Sequence, residues 1–135
     1  MRRRVDFDKV WLGAGLTLFG ALGCTSKAPA VTCTCSYGGA DQQLQFPATS
    51  DPYRVKAVDI AGRFRLKAVY VREPWRAAHV NVYAYHQAEA GDVLLQEGNY
   101  LPPFSGTSGR YGFTGRQLVY SPTQRELEYW CQLSP

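Results

Sequence analysis

The sequence predicts an all-β fold, a small antiparallel β-sandwich of about seven strands. Three observations lead to this prediction. Apolar and polar residues alternate with a period of two in several segments, and turn-forming prolines and glycines separate those segments. The 13 glycines and nine tyrosines favour strands and turns over a helical bundle. A small open β-barrel is the alternative architecture, and 135 residues suit a single domain.

The clearest strand pattern covers residues 63–71, where one face is apolar and the other basic. The predicted buried face carries Phe64, Leu66, Ala68 and Tyr70, and the hydrated face carries Arg63, Arg65 and Lys67. Residues 79–86 and 126–131 alternate in the same way. Their predicted inward side chains are Val80, Val82, Ala84, Leu127, Tyr129 and Cys131. Further strands are expected at residues 42–46, 53–60, 92–96 and 117–120.

The N-terminus is organised like an export signal. Basic residues at positions 2–4 and 9 precede an apolar run of 14 residues at positions 10–23. This run is shorter than the roughly 20 residues that a membrane-spanning helix needs. Residues 1–23 are therefore predicted to be a signal peptide outside the folded domain, with an uncleaved anchor as the alternative.

The tetrapeptide Ala21-Leu22-Gly23-Cys24 resembles the lipobox of bacterial lipoprotein precursors. The resemblance covers residues 1–24 and implies cleavage before Cys24, whose sulfur is acylated with diacylglycerol and labels with palmitate. Thr25 stands where an aspartate would imply inner-membrane retention, so the resemblance implies the periplasmic side of the outer membrane. The alternative is cleavage after Ala28-Pro29-Ala30, which releases a soluble periplasmic or secreted protein.

This interpretation divides the chain into a signal peptide (1–23), a lipidated cysteine with its tether (24–32) and a β-sandwich domain (33–135). The signal peptide contains four of the 15 basic and two of the 11 acidic residues. Its removal leaves 11 basic and 9 acidic residues and a net charge of +2. Much of the basic character therefore belongs to the export signal, and nucleic acid is not expected as a partner.

Three cysteines remain beyond Cys24. Cys33 and Cys35 point to the same face of an extended segment, where a bridge between such close neighbours is strained. Exported chains fold where disulfides persist, so Cys131 is predicted to pair with Cys35, with Cys33 as the alternative partner. A periplasmic metal site that uses Cys33 and Cys35 is a rival interpretation. No metal or cofactor is predicted, because a lone C-x-C lacks the paired spacing of structural zinc sites.

The chain contains no recognisable catalytic motif, which favours a non-catalytic protein. His79 and His86 are seven residues apart and fall on opposite faces of a straight strand, which makes them poor joint ligands or acid–base partners. A small hydrolase is the less favoured alternative.

Two surfaces are predicted to bind a protein partner in the cell envelope. The first is the glycine-rich loop at residues 101–116, where aromatic residues lie between arginines as in interface hot spots. Its predicted contact residues are Arg110, Tyr111, Phe113 and Arg116. The second surface, the basic stripe of Arg63, Arg65 and Lys67, is expected to steer the partner. The alternative for the loop is a hairpin whose aromatic rings fold back onto the edge of the sandwich.

Overall fold

The fold is a β-sandwich, as predicted. A computed structural model describes residues 28–104 and 109–134. Within them lie eight strands: β1 (Ala30–Tyr37), β2 (Ala40–Pro47), β3 (Val58–Ile60), β4 (Phe64–Glu73), β5 (Arg76–Ala88), β6 (Gly91–Tyr100), β7 (Gln117–Tyr120) and β8 (Glu126–Ser134). A short 3-10 helix, Pro52–Arg54, precedes β3. None of the described residues belongs to a helix with the length and hydropathy needed to cross a bilayer.

The eight strands form two antiparallel sheets of four strands each. The first sheet has the order β2-β1-β8-β7, and the second has the order β3-β4-β5-β6. A single apolar cluster fills the space between them and includes side chains from both sheets. The inward faces predicted for residues 63–71, 79–86 and 126–131 are confirmed: all ten predicted inward side chains are buried.

The predicted strand boundaries fail at two places. The tether was predicted to extend to residue 32, yet β1 begins at Ala30 and lies in the middle of its sheet, paired with both β2 and β8. Residues 53–60 contain only the three-residue β3. Pro52 starts a 3-10 turn there, and the Asp51 carboxylate caps it by accepting a hydrogen bond from the Tyr53 backbone N–H.

The disulfide joins Cys33 to Cys131, so the favoured pairing of Cys35 with Cys131 is wrong and the alternative is correct. Strand register decides this: Cys33 lies directly opposite Cys131 on β8, with 4.0 Å between their Cα atoms, whereas Cys35 lies opposite Tyr129. The bridge spans 98 residues of sequence. Closing a loop of that size stabilises a fold by up to about 4.7 kcal/mol in the chain-entropy model.

Cys35 is a free thiol buried in the core. Burial raises the pKa of this thiol to about 12, because the thiolate would lose its hydration. Since the thiolate is the reactive form, Cys35 acts as a small apolar core residue near neutral pH.

The sandwich has two ends that differ in composition. The entry end is where the chain enters β1, and it comprises residues 29–30, 47–54, 72–77 and 101–104. The distal end comprises the turns at residues 38–39, 61–63, 89–90 and 121–125. These distal turns consist of small, polar and charged residues, whereas the entry end carries large apolar side chains.

Candidate binding surface

The outer face of the second sheet carries a group of aromatic and basic side chains. We call this group, Arg65, Lys67, Asn81, Tyr83 and Tyr85, the tyrosine face. Strand alternation places it there, because Leu66, Ala68, Val82 and Ala84 on the same strands point into the core. The register sets Lys67 opposite Tyr83 and Arg65 opposite Tyr85.

Two tyrosine rings and one ammonium group form the centre of the tyrosine face. The rings of Tyr83 and Tyr85 are stacked, with 6.4 Å between centroids and an interplanar angle of 21°. The Lys67 Nζ lies 4.9 Å from the centroid of the Tyr83 ring and 6.0 Å from that of Tyr85. Both distances allow cation–π attraction, which holds the lysine over the rings and fixes their orientation.

Charged and polar groups border the two rings. Arg65 donates a hydrogen bond to the Asp92 carboxylate at 3.1 Å. Burial and the nearby charge of Glu97 raise the pKa of Tyr83, so its phenol stays protonated and can donate a hydrogen bond at neutral pH. The surface therefore combines aromatic rings, hydrogen-bond donors and a cation on a sheet of regular strands, a combination that binding sites use.

The predicted basic stripe is only partly available for steering a partner. Arg65 and Lys67 lie on the outer face as expected, but each already has a partner: Asp92 for Arg65 and the tyrosine rings for Lys67. Arg63 precedes β4 and lies exposed in the turn at the distal end. The three residues therefore do not form one continuous basic surface.

Phe113 is buried, which contradicts its predicted role in partner binding. Only 8% of its surface is exposed. Its ring contacts Tyr100, with 5.2 Å between centroids, and Phe104, with 5.5 Å. A ring enclosed in this way fills the core at the sandwich edge and cannot enter a partner's pocket.

Backbone contacts with β8 hold the second half of the glycine-rich loop in place. The Phe113 N–H donates to the Cys131 carbonyl at 3.1 Å, and the Cys131 N–H donates to the Thr114 hydroxyl at 2.9 Å. Gly112 has a positive φ of 60°, and a Cβ at this position would lie 2.1 Å from the Cys131 carbonyl oxygen. Only glycine fits there. Residues 105–108 of the predicted loop lie outside the described residues.

The other predicted loop residues also have intramolecular partners. Tyr111 is half-buried, and its ring meets Trp130 edge to face with 5.2 Å between centroids. The Arg110 guanidinium lies 5.2 Å from the centre of the Tyr111 ring. Arg116 donates two hydrogen bonds to the Glu128 carboxylate, at 2.7 and 3.1 Å. The described part of the loop therefore matches the alternative interpretation, in which the aromatic rings fold back onto the sandwich.

The histidines and cysteines do not converge. His79 lies on the outer face, 3.4 Å from the Ala77 carbonyl oxygen, whereas the His86 ring packs against Phe64 on the core side. The Cys33 sulfur is bonded to Cys131 and cannot serve as a thiolate ligand. Across residues 28–104 and 109–134, no three His, Cys, Asp or Glu side chains are arranged to hold a metal ion.

Comparisons of the chain with protein-family models, with curated proteins and with solved structures find no match. The candidate surface is therefore defined by its own residues alone. Sequence reasoning did not select Tyr83 and Tyr85 as contact residues. Their alternation with Val80, Val82 and Ala84 is the signal that identifies them as outward-facing.

Proposed function

We propose that this protein is an exported, lipid-anchored and non-catalytic binding module of the cell envelope, and that it binds a protein partner through the tyrosine face. The observation that carries the binding proposal is the stacked pair of Tyr83 and Tyr85 beneath Lys67, on the outer side of a paired sheet.

The geometry of this face favours binding because the rings are already ordered. Tyr83 and Tyr85 are on β5, which is paired on both sides, and Lys67 restricts them further. A partner therefore loses little free energy in ordering the surface. A partner that fits this surface carries an apolar side chain that packs over the rings. Beside that side chain it carries a carboxylate that reaches Lys67 or Arg65.

Two observations support export and attachment through Cys24. The Cys33–Cys131 disulfide fits an oxidising compartment. The start of β1 favours cleavage before Cys24 over cleavage after Ala30. The later cut would remove Pro29, whose carbonyl accepts a hydrogen bond from the Ala48 N–H at 2.9 Å. It would also place a charged amino terminus on Val31, whose side chain is fully buried in a central strand.

The anchor is tested by labelling cells with palmitate and separating membranes from soluble protein. The wild-type chain should incorporate the label and float with membranes, and Cys24→Ala should lose both properties. Cys35→Ala is the matched control, because this cysteine is buried in the core and should not be acylated. A native protein that begins at Val31 and carries no label would refute the lipid anchor.

The binding surface is tested by a pull-down from detergent-solubilised membranes. Tyr83→Ala combined with Tyr85→Ala should abolish co-purification of the partner while leaving the thermal midpoint nearly unchanged, because both rings are on the outer face. Leu118→Ala combined with Tyr120→Ala is the matched control, since it removes exposed apolar side chains from the other sheet. Equal recovery of the partner by both double variants would refute the assignment of the tyrosine face.

A further inference from the structure

The entry end brings the start of the domain next to the turn end of the β4–β5 hairpin. The Ala48 N–H donates to the Pro29 carbonyl, and the neighbouring Thr49 N–H donates to the Tyr70 carbonyl at 2.8 Å. Thr49 also accepts a hydrogen bond from the Arg72 N–H at 3.1 Å. Whatever segment precedes residue 28 therefore joins the domain beside the turn end of this hairpin.

The β4–β5 hairpin extends past its neighbour in the sheet. β6 ends at Tyr100, which lies opposite Val80, but β5 begins at Arg76. The four-residue difference corresponds to about 13 Å of strand. Trp75 lies in the turn of this extension, and 79% of its surface is exposed.

Two more large side chains are exposed at the same end. Tyr53 follows the Thr49 bridge by four residues and is 96% exposed, and Leu101 follows the last residue of β6 and is 69% exposed. A single exposed apolar residue is ordinary, but Trp, Tyr and Leu at one end of a small domain need an explanation. Trp and Tyr are the residues that concentrate at membrane–water interfaces.

The charge at the entry end is mostly positive. Three arginines belong to it: Arg54, Arg72 and Arg76. Two carboxylates accompany them, Asp51 at 3.1 Å from Arg54 and Glu73 at 3.8 Å from Arg76. Such an excess of arginine complements anionic lipid headgroups, which attract basic residues near a bilayer surface.

We propose that the entry end docks on the surface of an anionic bilayer, with Trp75, Tyr53 and Leu101 at the level of the headgroups and the arginines beside lipid phosphates. The inference rests on the proposed anchor, which fixes which end faces the membrane. Pro29 is five positions after Cys24, and even a fully extended segment of that length spans at most about 18 Å. An acylated Cys24 therefore keeps the entry end close to the bilayer.

The docking is tested by fluorescence quenching with brominated lipids. The protein is expressed from its full sequence, purified in the form to which the cell processes it, and reconstituted into phosphatidylcholine vesicles with or without phosphatidylglycerol. All variants carry Trp11→Phe, so that only Trp75 and Trp130 emit. Brominated acyl chains should quench the emission of this reference protein. Trp75→Phe should remove the quenched component, and Trp130→Phe, the matched control, should retain it because Trp130 packs against Tyr111 on the other sheet.

The role of charge is tested by Arg72→Gln and Arg76→Gln. Each should lower the apparent partition into the docked state by about fivefold, and the effect should require phosphatidylglycerol. Equal quenching of Trp75 with and without phosphatidylglycerol, with no change in either variant, would refute the electrostatic part of the proposal.

Flotation of the same vesicles separates failure of the docking from failure of the anchor. Vesicles that carry the protein but leave Trp75 unquenched would refute docking and leave the anchor intact. Protein that remains in solution would refute the anchor, and absence of Trp75 quenching in that soluble protein would refute docking as well. Shielding of Trp75 from solvent that increases with protein density and does not depend on bromine would show that a second copy of the chain covers this end. That result would also overturn the proposal.

Discussion

Aromatic residues occur in two regions of this sandwich that differ in whether the rings pack into the fold or face outward. In the glycine-rich loop, Phe113 is buried and Tyr111 packs against Trp130. On the tyrosine face, Tyr83 and Tyr85 point away from the core and stack under Lys67. The loop resembles an interface in composition, yet its rings complete the domain. The strand resembles ordinary sheet structure, yet its rings lie on the outer face of the sandwich.

Backbone position explains the difference. Residues of a regular strand alternate between faces, so the burial of Val82 and Ala84 forces Tyr83 and Tyr85 outward. A loop residue has no such constraint, and its side chain follows the local path of the backbone. That path is set by Gly112, whose close approach to the Cys131 carbonyl turns the chain inward. The composition of a loop therefore predicts exposure less well than the periodicity of a strand.

Of the changes that test this difference, Phe113→Ala should have the largest effect on stability. Removing a buried aromatic ring should lower the free energy of unfolding by about 3 kcal/mol, because the ring loses its contacts with Tyr100 and Phe104. Tyr85→Ala is the matched control and should cost about 1 kcal/mol or less, since its ring lies on the outer face. Urea denaturation of both variants measures the difference. Similar losses would mean that the two regions do not differ in their contribution to the fold.

The sequence predicted the fold class and the inward faces of the longest strands because alternation is a local property of the chain. It did not predict that Cys33 pairs with Cys131. Cys33 and Cys35 point to the same face, and only the register between β1 and β8 distinguishes them. Register depends on contacts between residues about 100 positions apart, which no local pattern records. For the same reason the burial of Phe113 could not be predicted, since it depends on a bridge between Gly112 and β8.

The smallest expected effect on stability comes from the ion pair between Arg116, at the end of the loop, and Glu128 on β8. Hydrogen bonds from Arg116 lower the pKa of the Glu128 carboxyl below its ordinary value of 4.5. The folded protein therefore binds a proton at this site less readily than the unfolded chain does. The resulting stability is present above pH 4.5 and is lost as the pH falls through the lowered pKa of the folded state.

Arg116→Gln should therefore flatten the acid side of the curve of unfolding free energy against pH and change it little near neutrality. Arg63→Gln, an exposed change at the distal end, is the matched control and should leave the acid side unaltered. Because the pair is partly exposed, added salt should weaken the wild-type pH dependence as well. If Arg116→Gln leaves the acid side of the curve unchanged, the ion pair does not hold the loop against β8. The loop would then depend on Gly112, Phe113 and Thr114, which make its backbone and ring contacts.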